Sequence, residues 1–504
     1  MEETGILELS RMMASGESSA VALAEGYLER IEAIDRAGPR VNAVIEVNPD
    51  ALAIAVARDR ERAAGRVRGP LHGIPILIKD NIDTRDRMQT TAGSLALEGH
   101  RARQDAFLVR RLRAAGAVLL GKANLSEWAN FRSTRSTSGW SSRGGLTRNP
   151  YALGRSACGS SSGSAAAVAA SLCAAAVGTE TDGSVICPAQ TCGIVGLKPT
   201  LGLISRSGII PIAHSQDTAG PMGRTVQDVA VLLGALAGAD PADRATQAKR
   251  RRAARDYTRF LDPDGLRGAR IGVARKMLGS DARVHALLES CLDLMRQMGA
   301  VIVDPADVPN WDRFGKTEVE VLLYEFKADL NRYLAALGPH SRVHSLADVI
   351  RFNEQNRARV MPFFGQERML AAQEKGALSN AAYRKALARN RRLTRAEGID
   401  AVLARRRLDA VAVISGGPAW MIDLVNGDAR NWDMESTSPA AVAGYPHITV
   451  PAGLIAGLPV GLSFFSTAWQ EPALLRLAYA FEQARQARRP PRFLRRAATQ
   501  GPLQ

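Results

Sequence analysis

Cysteine is scarce in this sequence, and its spacing argues against two kinds of site. Five cysteines occur among 504 residues. No C-x-x-C pair and no histidine-rich cluster accompanies them, so the spacing indicates neither a disulfide framework nor a zinc site. We therefore expect small buried thiols, and no metal or other cofactor. The cysteines are Cys158, Cys173, Cys187, Cys192 and Cys291.

Long apolar runs are absent as well. The alanine-rich stretch after Ser164 is too short and too weakly hydrophobic to span a bilayer. The first twenty residues carry early acidic residues and lack a basic region followed by an apolar core, unlike a signal peptide. These absences predict a cytoplasmic protein that does not insert into a membrane.

Acidic residues are outnumbered by basic ones, 50 to 66, which gives a formal net charge of +16. Such an excess favours a polyanionic partner when the positive residues form a patch. Here they are scattered along the chain and are dense only at 249–255 and 485–496. We interpret them as a solvated surface and do not expect nucleic acid to bind. A basic nucleic-acid-binding protein is kept as the non-enzymatic alternative.

Short apolar runs alternate with helical patterns along the chain. A strand predicted at 74–78 is followed by a helix at 107–115 and a strand at 117–120. This rhythm, which returns at 270–303, predicts an α/β sheet. Helical patterns dominate residues 318–403, and we find neither an internal repeat nor a linker. We expect one unit over residues 1–504 with a helical elaboration at about 318–403.

One candidate nucleophile is Ser184, which follows Thr181, Asp182 and Gly183 directly after a predicted strand. A strand that ends in an Asp-Gly turn exposes a hydroxyl beside consecutive N–H groups, which stabilise the oxyanion of a tetrahedral intermediate. Asp-Gly-Ser is also a common turn sequence, so an ordinary turn serine is the alternative.

Lys79 is a candidate base because it ends the apolar strand predicted at 74–78. Burial lowers the pKa of a lysine towards the range that a general base needs. The alternative is a lysine whose ammonium group reaches the surface.

A Gly/Ser-rich run, GSSSGS from Gly159 to Ser164, precedes a predicted helix. A flexible linker does not fit, because an apolar helical pattern follows at once. A phosphate cradle at the helix N-terminus stays open, although the lysine of the phosphate-binding loop is absent. A serine relay between Lys79 and Ser184 explains both residues together.

The seven histidines show no metal-binding spacing. His72 and His214 are rival bases for a Ser-His-Asp triad, whose order along the chain varies between folds. Hydrogen-bonded structural histidines explain both residues equally well.

Taken together, these motifs resemble the amidase signature family, and the resemblance covers nearly the whole chain. Its core extends over about residues 70–225. The stretches that carry the resemblance are GIPILIKDN from Gly73, GKANLSEWANF from Gly121, GSSSGSAAA, TETDGS, GIVGLKPT, and AVAGYPHITVPAG near the C-terminus.

This resemblance implies a large mixed, twisted sheet covered on both faces by helices, and amide hydrolysis by a Ser-cisSer-Lys triad without a cofactor. Carried over by motif, Ser184 is the nucleophile, Ser160 the bridging serine after a cis peptide bond, and Lys79 the base. We expect the oxyanion and substrate to be bound by Thr181, Asp182, Gly183, Ser138, Gly139, Trp140 and Trp420. Trp140 and Trp420 are equally plausible as buried structural residues.

Within the family, the chain is most similar to bacterial peptide amidases, which release ammonia from the C-terminal amide of peptides. Asp182 replaces the first of two glycines that many members carry before the nucleophile, and this form is typical of the peptide amidase branch. Ile186 stands where many members have arginine, and Cys158 stands where many have glycine. A charge network that uses the arginine is therefore in doubt.

Three alternatives remain: the glutaminase subunit of an amidotransferase, a biosynthetic enzyme that transfers the acyl group to an amine, and the nucleic-acid-binding protein. We expect a small-molecule or peptide amide as substrate and no obligatory protein partner. The identity of the acyl group is not determined by the sequence.

Overall fold

A computed structural model describes residues 1–249, 253–339, 341–429 and 436–497. Residues 250–252 of the basic segment 249–255 therefore lie outside the described residues. An 11-stranded mixed sheet forms the centre of the molecule, twisted and covered on both faces by helices. The fold class expected from the sequence is confirmed.

Eleven strands form the sheet, and two short ones form a separate ribbon. The strands are β1 Val44–Val47, β2 Pro75–Lys79, β3 Val118–Ala123, β4 Trp140–Ser141, β5 Gly145–Leu146, β6 Ala175–Glu180, β7 Val195–Lys198, β8 Thr218–Gly223, β9 Arg270–Val273, β10 Val301–Val303, β11 Ala410–Ile414, β12 His447–Ile455 and β13 Leu458–Phe465. Their order in the sheet is β1-β3-β2-β6-β8-β7-β12-β13-β11-β9-β10, and β4 pairs with β5.

Helices connect most of the strands. They are α1 Ile6–Ser15, α2 Ala20–Arg30, α3 Ala51–Ala63, α4 Phe107–Ala114, α5 Ser162–Ala169, α6 Ile186–Thr191, α7 Val226–Leu236, α8 Ala282–Gln297, α9 Gly315–Ala335, α10 Leu346–Gln355, α11 Arg357–Val360, α12 Glu367–Gln373, α13 Ala381–Thr394, α14 Asp400–Arg406, α15 Ser438–Ala443 and α16 Glu471–Arg485.

The middle strands are buried along their whole length. Every residue of β2 and of β6 is buried, so their sequences read as continuous runs without alternation of apolar and polar residues. β2 pairs in parallel with both β3 and β6, while β8 pairs antiparallel with β6. The carboxyl ends of β2 and β6 therefore meet at one edge of the sheet.

Helix α5 lies wholly inside the protein and packs against these strands. All eight of its residues are buried, which its small side chains permit. A Cβ atom at Gly163 would lie 2.3 Å from the carbonyl oxygen of Ala43 and 2.5 Å from that of Asn124. Glycine is thus required here, because the helix approaches two backbone segments closely.

The helical elaboration packs against a loop that leads into β8. Leu322, Leu323 and Phe326 of α9 form a hydrophobic cluster with Ile210 and Ile212 of that loop. The division of the chain into one unit with a helical elaboration stays a prediction.

The expectation of unpaired thiols is wrong for two cysteines. Cys158 and Cys187 form a disulfide, with their Cα atoms 6.0 Å apart. Their sequence separation of 29 is bridged because α5 and β6 bring the turn before the helix next to the turn after the strand. Cys173, Cys192 and Cys291 are free and buried, as expected.

Most strand and helix predictions from periodicity are confirmed within two residues, but the helix predicted after the serine run ends early, at Ala169. Ser19 caps α2 by accepting a hydrogen bond from the Ala22 N–H at 3.0 Å, as the sequence suggests. Across the described residues, we find no helix with the length and apolar character that a membrane span requires.

Candidate active site

The candidate site forms where the carboxyl ends of β2 and β6 meet. Ile78 pairs with Val177 in the parallel ladder, so Lys79 ends beside the last residues of β6. The turn after β6 carries Ser184, and the turn before α5 carries Ser160. Sheet pairing and the buried helix thus bring together three residues that are far apart in the sequence.

The amine of Lys79 lies among oxygen atoms. Its Nζ atom is 2.7 Å from Ser160 Oγ, 3.1 Å from Ser161 Oγ and 2.9 Å from Thr179 Oγ1. It also donates to the Thr179 carbonyl oxygen at 3.1 Å. Asn81 Nδ2 donates to Thr179 Oγ1 at 3.0 Å, which fixes that hydroxyl as part of the network.

Lys79 is fully buried and forms no ion pair with a carboxylate in the described part of the chain. Burial lowers its pKa to about 7, and the charges of Glu180 and Asp217 act in the opposite direction. The prediction of a buried, surface-inaccessible lysine is confirmed. A substantial fraction of the amine is therefore neutral near pH 7.

The turn before α5 contains a cis peptide bond between Gly159 and Ser160. The carbonyl oxygen of Ser160 accepts a hydrogen bond from the Ser126 N–H at 3.1 Å. The Ser126 hydroxyl in turn accepts one from the Gly139 N–H at 2.8 Å. A loop from β3 therefore supports the serine turn.

The turn that carries Ser184 is held by a buried carboxylate and by the serine turn. Glu180 Oε2 accepts hydrogen bonds from the N–H groups of Val185 at 2.7 Å and Ile186 at 3.0 Å. The Ser161 N–H donates to the Ser184 carbonyl oxygen at 3.2 Å. The two turns are thus in direct contact, and the Ser184 hydroxyl has no hydrogen-bond partner among the described residues.

Four consecutive backbone N–H groups lie next to this hydroxyl in the chain. Those of Thr181, Asp182, Gly183 and Ser184 donate to no protein acceptor in the described ranges. Unpaired N–H groups at one turn suit the binding of an anionic oxygen. The sequence indicates the same four groups.

The loop before β8 supports Thr181. The Thr181 hydroxyl donates to Asp217 Oδ1 at 2.6 Å, and Gln216 Nε2 donates to the Thr181 carbonyl oxygen at 3.3 Å. Asp217 Oδ2 accepts from the N–H groups of Ile212 and Ala213, each at 2.8 Å. Burial raises the pKa of Asp217 to about 6. Sequence reasoning missed Asp217, which lies 36 residues from Thr181.

The side chain of Asp182 is half satisfied. Its Oδ2 atom accepts a hydrogen bond from Ser438 Oγ at 2.5 Å. Its Oδ1 atom is buried and has no partner among the described residues. A buried acceptor without a donor is costly unless a ligand supplies one.

Three of the expected substrate-binding residues gather around a carboxylate that sequence reasoning did not single out. Asp428 accepts from the Ser138 N–H at 3.1 Å and from its hydroxyl at 2.5 Å. It also accepts from Trp420 Nε1 at 3.1 Å. Gly139 lies next to Ser138 and is fixed by Ser126. The signal for Asp428 is the polar end of the stretch that begins at Gly416.

The indole of Trp140 packs into an aromatic cluster. It contacts the rings of Phe363 and Phe364 edge-on, with centroids 5.6 and 5.2 Å away. The Arg132 guanidinium lies 5.3 Å from its centroid. Only 6% of Trp140 is exposed, whereas Trp420 is half-buried. The packing of Trp140 is therefore that of a structural residue, and Trp420 is the more open of the two.

The rival histidines are engaged elsewhere. His214 Nδ1 lies 2.7 Å from Asp329 Oδ2, and its Nε2 lies 3.4 Å from Glu325 Oε1. His72 Nε2 lies 2.9 Å from the Arg58 carbonyl oxygen. Neither imidazole forms a hydrogen bond with Ser184 in the described part of the chain.

The chain is similar to known amidases along most of its length. The family model described as Amidase matches residues 22–475. A probable amidase of Arabidopsis thaliana is 42% identical over 481 residues, which cover 94% of this chain and 88% of that protein. The glutamyl-tRNA(Gln) amidotransferase of Thermosynechococcus vestitus contains a polypeptide that is 36% identical, with coverage of 95% of this chain and 97% of that polypeptide.

Among solved structures, the native peptide amidase of Stenotrophomonas maltophilia superposes with a TM-score of 0.93 at 54% sequence identity. The superposition covers 97% of this chain and 99% of that one. An amidase family protein of Bacillus anthracis superposes with a TM-score of 0.88 at 36% identity, with coverage of 97% of this chain and 92% of that one.

Proposed function

The chain belongs to the amidase signature family and is an amidase, and from this premise we propose that it hydrolyses the C-terminal carboxamide of peptides to a carboxylate and ammonia. The observation that carries the proposal is the 2.7 Å separation of Lys79 Nζ and Ser160 Oγ in a fully buried place beside the Ser184 turn. A buried amine with a pKa of about 7 is suited to accept a proton at neutral pH.

In the proposed mechanism, neutral Lys79 takes a proton from Ser160 while Ser160 takes one from Ser184. This relay requires the Ser184 hydroxyl to rotate towards Ser160 when substrate binds. Ser184 Oγ attacks the carbonyl carbon, and the N–H groups of the turn from Thr181 to Ser184 bind the oxyanion. Collapse of the tetrahedral intermediate breaks the C–N bond.

The proton held by Lys79 then returns through Ser160 to the leaving nitrogen, which departs as ammonia. Water attacks the acyl-enzyme, gives a proton to the same relay, and releases the carboxylate and Ser184. The cycle requires no metal or other cofactor, and we expect no obligatory protein partner.

Peptide amides are proposed as substrates on two grounds. One is the 54% identity with the Stenotrophomonas peptide amidase over 97% of this chain. The other is Asp182, whose unpartnered Oδ1 atom can accept a hydrogen bond from the NH₂ group of a carboxamide. An ester lacks this donor.

The test is release of ammonia from a panel of peptide amides, glutamine and simple aliphatic amides by the purified chain. We expect the peptide amides to have the highest kcat/KM. Glutamine as the preferred substrate would favour the glutaminase alternative, and amide formation with an added amine would favour a biosynthetic transferase. Retention by DNA together with no amide hydrolysis would favour the non-enzymatic alternative.

Ser184→Ala tests the nucleophile on the same panel. We expect a loss of at least about a thousandfold in kcat, because the members of such a triad act as a unit. Ser164→Ala is the matched control, since this buried serine lies in the same Gly/Ser-rich run and donates to the Val177 carbonyl oxygen at 3.2 Å. Activity of Ser184→Ala within about tenfold of the parent would contradict the assignment.

The cytoplasmic location stays a prediction from the sequence. The disulfide between Cys158 and Cys187 argues against a strongly reducing compartment, because such bonds persist where the environment is oxidising.

A further inference from the structure

The disulfide joins the two turns that carry the proposed catalytic hydroxyls. Cys158 lies two residues before Ser160, and Cys187 lies three residues after Ser184. The bond therefore links the turn before α5 to the first turn of α6. It is the covalent connection closest in sequence to both serines.

The backbone at Cys158 indicates that its side chain is kept for the sulfur atom. Its φ of +56° lies in the left-handed region, which residues with a Cβ atom rarely adopt and which glycine adopts freely. The resemblance to the amidase signature family places glycine at this position in many members. A cysteine here accepts an unfavourable backbone conformation and gains the bond to Cys187.

The same two turns are also joined by noncovalent contacts. The Ser161 N–H donates to the Ser184 carbonyl oxygen at 3.2 Å, and Thr191 Oγ1 donates to the Ala157 carbonyl oxygen at 3.0 Å. Both contacts can lengthen without a change in fold. A proton relay through two hydroxyls fails when its atoms move apart by about 1 Å.

We propose that the Cys158–Cys187 disulfide is a positioning device that sets the separation of Ser160 and Ser184 and makes the reactivity of Ser184 depend on redox state. This inference rests on the proposed triad. Cys158 is buried, with 1% of its surface exposed, whereas Cys187 is partly exposed. A reductant therefore reaches the bond from the side of Cys187.

The reductant is a dithiol, such as dithiothreitol or a protein with two vicinal thiols. One of its thiolates attacks the sulfur of Cys187, the S–S bond breaks, and Cys158 leaves as a thiolate that takes up a proton. The second thiol then attacks the mixed disulfide, so the reductant departs oxidised and Cys187 is released as a thiol. Two electrons and two protons pass to the protein.

The first measurement is a thiol count on the unfolded full-length chain. Three thiols are expected before reduction, those of Cys173, Cys192 and Cys291, and all five cysteines react after reduction. Five thiols in untreated protein purified under oxidising conditions would overturn the inference, because the bond would not exist.

The second measurement is the rate at which Ser184 reacts with a fluorophosphonate probe, together with kcat and KM for the best amide substrate. We expect reduction of the folded protein to lower the labelling rate and kcat by at least about fivefold, with little change in KM. Reoxidation with glutathione disulfide should restore both rates. A purely structural bond would lower the melting temperature and leave these rates unchanged, and that result would overturn the inference.

Variants separate the bond from the backbone around it. Cys158→Gly relieves the left-handed conformation and removes the bond, so we expect a stable protein with a low kcat that no longer responds to the reductant. Cys187→Ser should behave in the same way. Cys291→Ala, which removes a free thiol from α8, should retain the parent activity and its sensitivity.

Failure of the triad and failure of this inference give different results. No labelling of Ser184 in either redox state would contradict the proposed function. Labelling that is abolished in Ser184→Ala but equal in the oxidised and reduced parent would contradict only the positioning role. Full kcat in a folded Cys158→Gly protein would contradict it as well.

Discussion

The Nζ atom of Lys79 and the Oγ atom of Ser160 lie 2.7 Å apart, and both side chains are fully buried. This contact joins the end of β2 to the turn before α5, two segments separated by 81 residues. Because burial is the largest cause of the lowered pKa of Lys79, the position of the lysine in the sheet sets its chemistry.

The first prediction concerns pH. Lys79 accepts a proton only when it is neutral, so kcat/KM should rise with pH through about 7 and then level off. The direction follows from the lysine being protonated below its pKa and therefore unable to act as a base. The measurement is a pH profile with an uncharged peptide amide. A profile that is flat from about pH 5 to about pH 9 would contradict Lys79 as the base.

The second prediction concerns selectivity for amides. Asp182→Gly removes the carboxylate whose Oδ1 atom has no partner among the described residues. We expect the ratio of kcat/KM for a peptide amide to that for the matched methyl ester to fall by about tenfold, roughly 1.4 kcal/mol, the value of one hydrogen bond to a charged group.

Ser438→Ala is the control for Asp182. It removes the hydroxyl that donates to the other carboxylate oxygen, Oδ2, at 2.5 Å and leaves Oδ1 in place. The amide-to-ester ratio should change less than in Asp182→Gly. An unchanged ratio in Asp182→Gly itself would show that the aspartate does not recognise the amide.

The third prediction concerns the support of the oxyanion turn. Asp217→Asn and Thr181→Val each break the 2.6 Å hydrogen bond between these side chains. We expect each to lower kcat by about tenfold with a smaller change in KM, and the double variant to lose little more than either single one. Additive losses would mean that the two residues act independently.

Asp217→Asn has a second expected effect. The negative charge of Asp217 raises the pKa of Lys79, against the dominant effect of burial. Without that charge, the pKa of Lys79 falls, and the rise of kcat/KM should move to lower pH. Thr181→Val keeps the charge and should leave the position of the rise unchanged. A role of Asp217 in folding alone would not produce this difference.

Local sequence patterns predict those elements whose periodicity agrees with their final environment. β2 ends at Lys79 because an apolar run meets a charged residue, and the predicted strand is confirmed there. β8 was missed because its sequence, TAGPMG, contains two glycines and a proline, which are typical of turns. A Cβ atom at Gly220 would lie 2.4 Å from the Leu197 carbonyl oxygen, so the close approach of β7 requires glycine within this strand.

The candidate site shows the same division. Motifs indicate Lys79, Ser160 and Ser184, because their chemistry is visible in the residue types. Asp217 and Asp428 were missed, because they act through contacts with distant segments that no local pattern specifies. The disulfide could have been inferred: Cys158 and Cys187 flank two serines that must meet, so the cysteines must meet as well.

The fourth prediction concerns stability near the substrate-binding loop. Glu127 and Arg132 form an ion pair whose side chains are both fully buried. Arg132 also donates to the carbonyl oxygens of Val360 at 2.6 Å and Phe364 at 3.2 Å. Glu127→Ala leaves the guanidinium buried without its counter-charge, so we expect a loss of about 3–5 kcal/mol in the free energy of unfolding.

Urea unfolding measures this loss. Asp293→Ala is the control, because its partner Arg296 forms an exposed ion pair on α8, and no measurable change is expected there. Replacing both partners, with Glu127→Leu and Arg132→Met, should be less damaging than Glu127→Ala, because no unpaired charge then remains buried. If the double variant is instead the less stable of the two, the guanidinium contributes mainly by packing against the ring of Phe364, whose centroid lies 4.2 Å away.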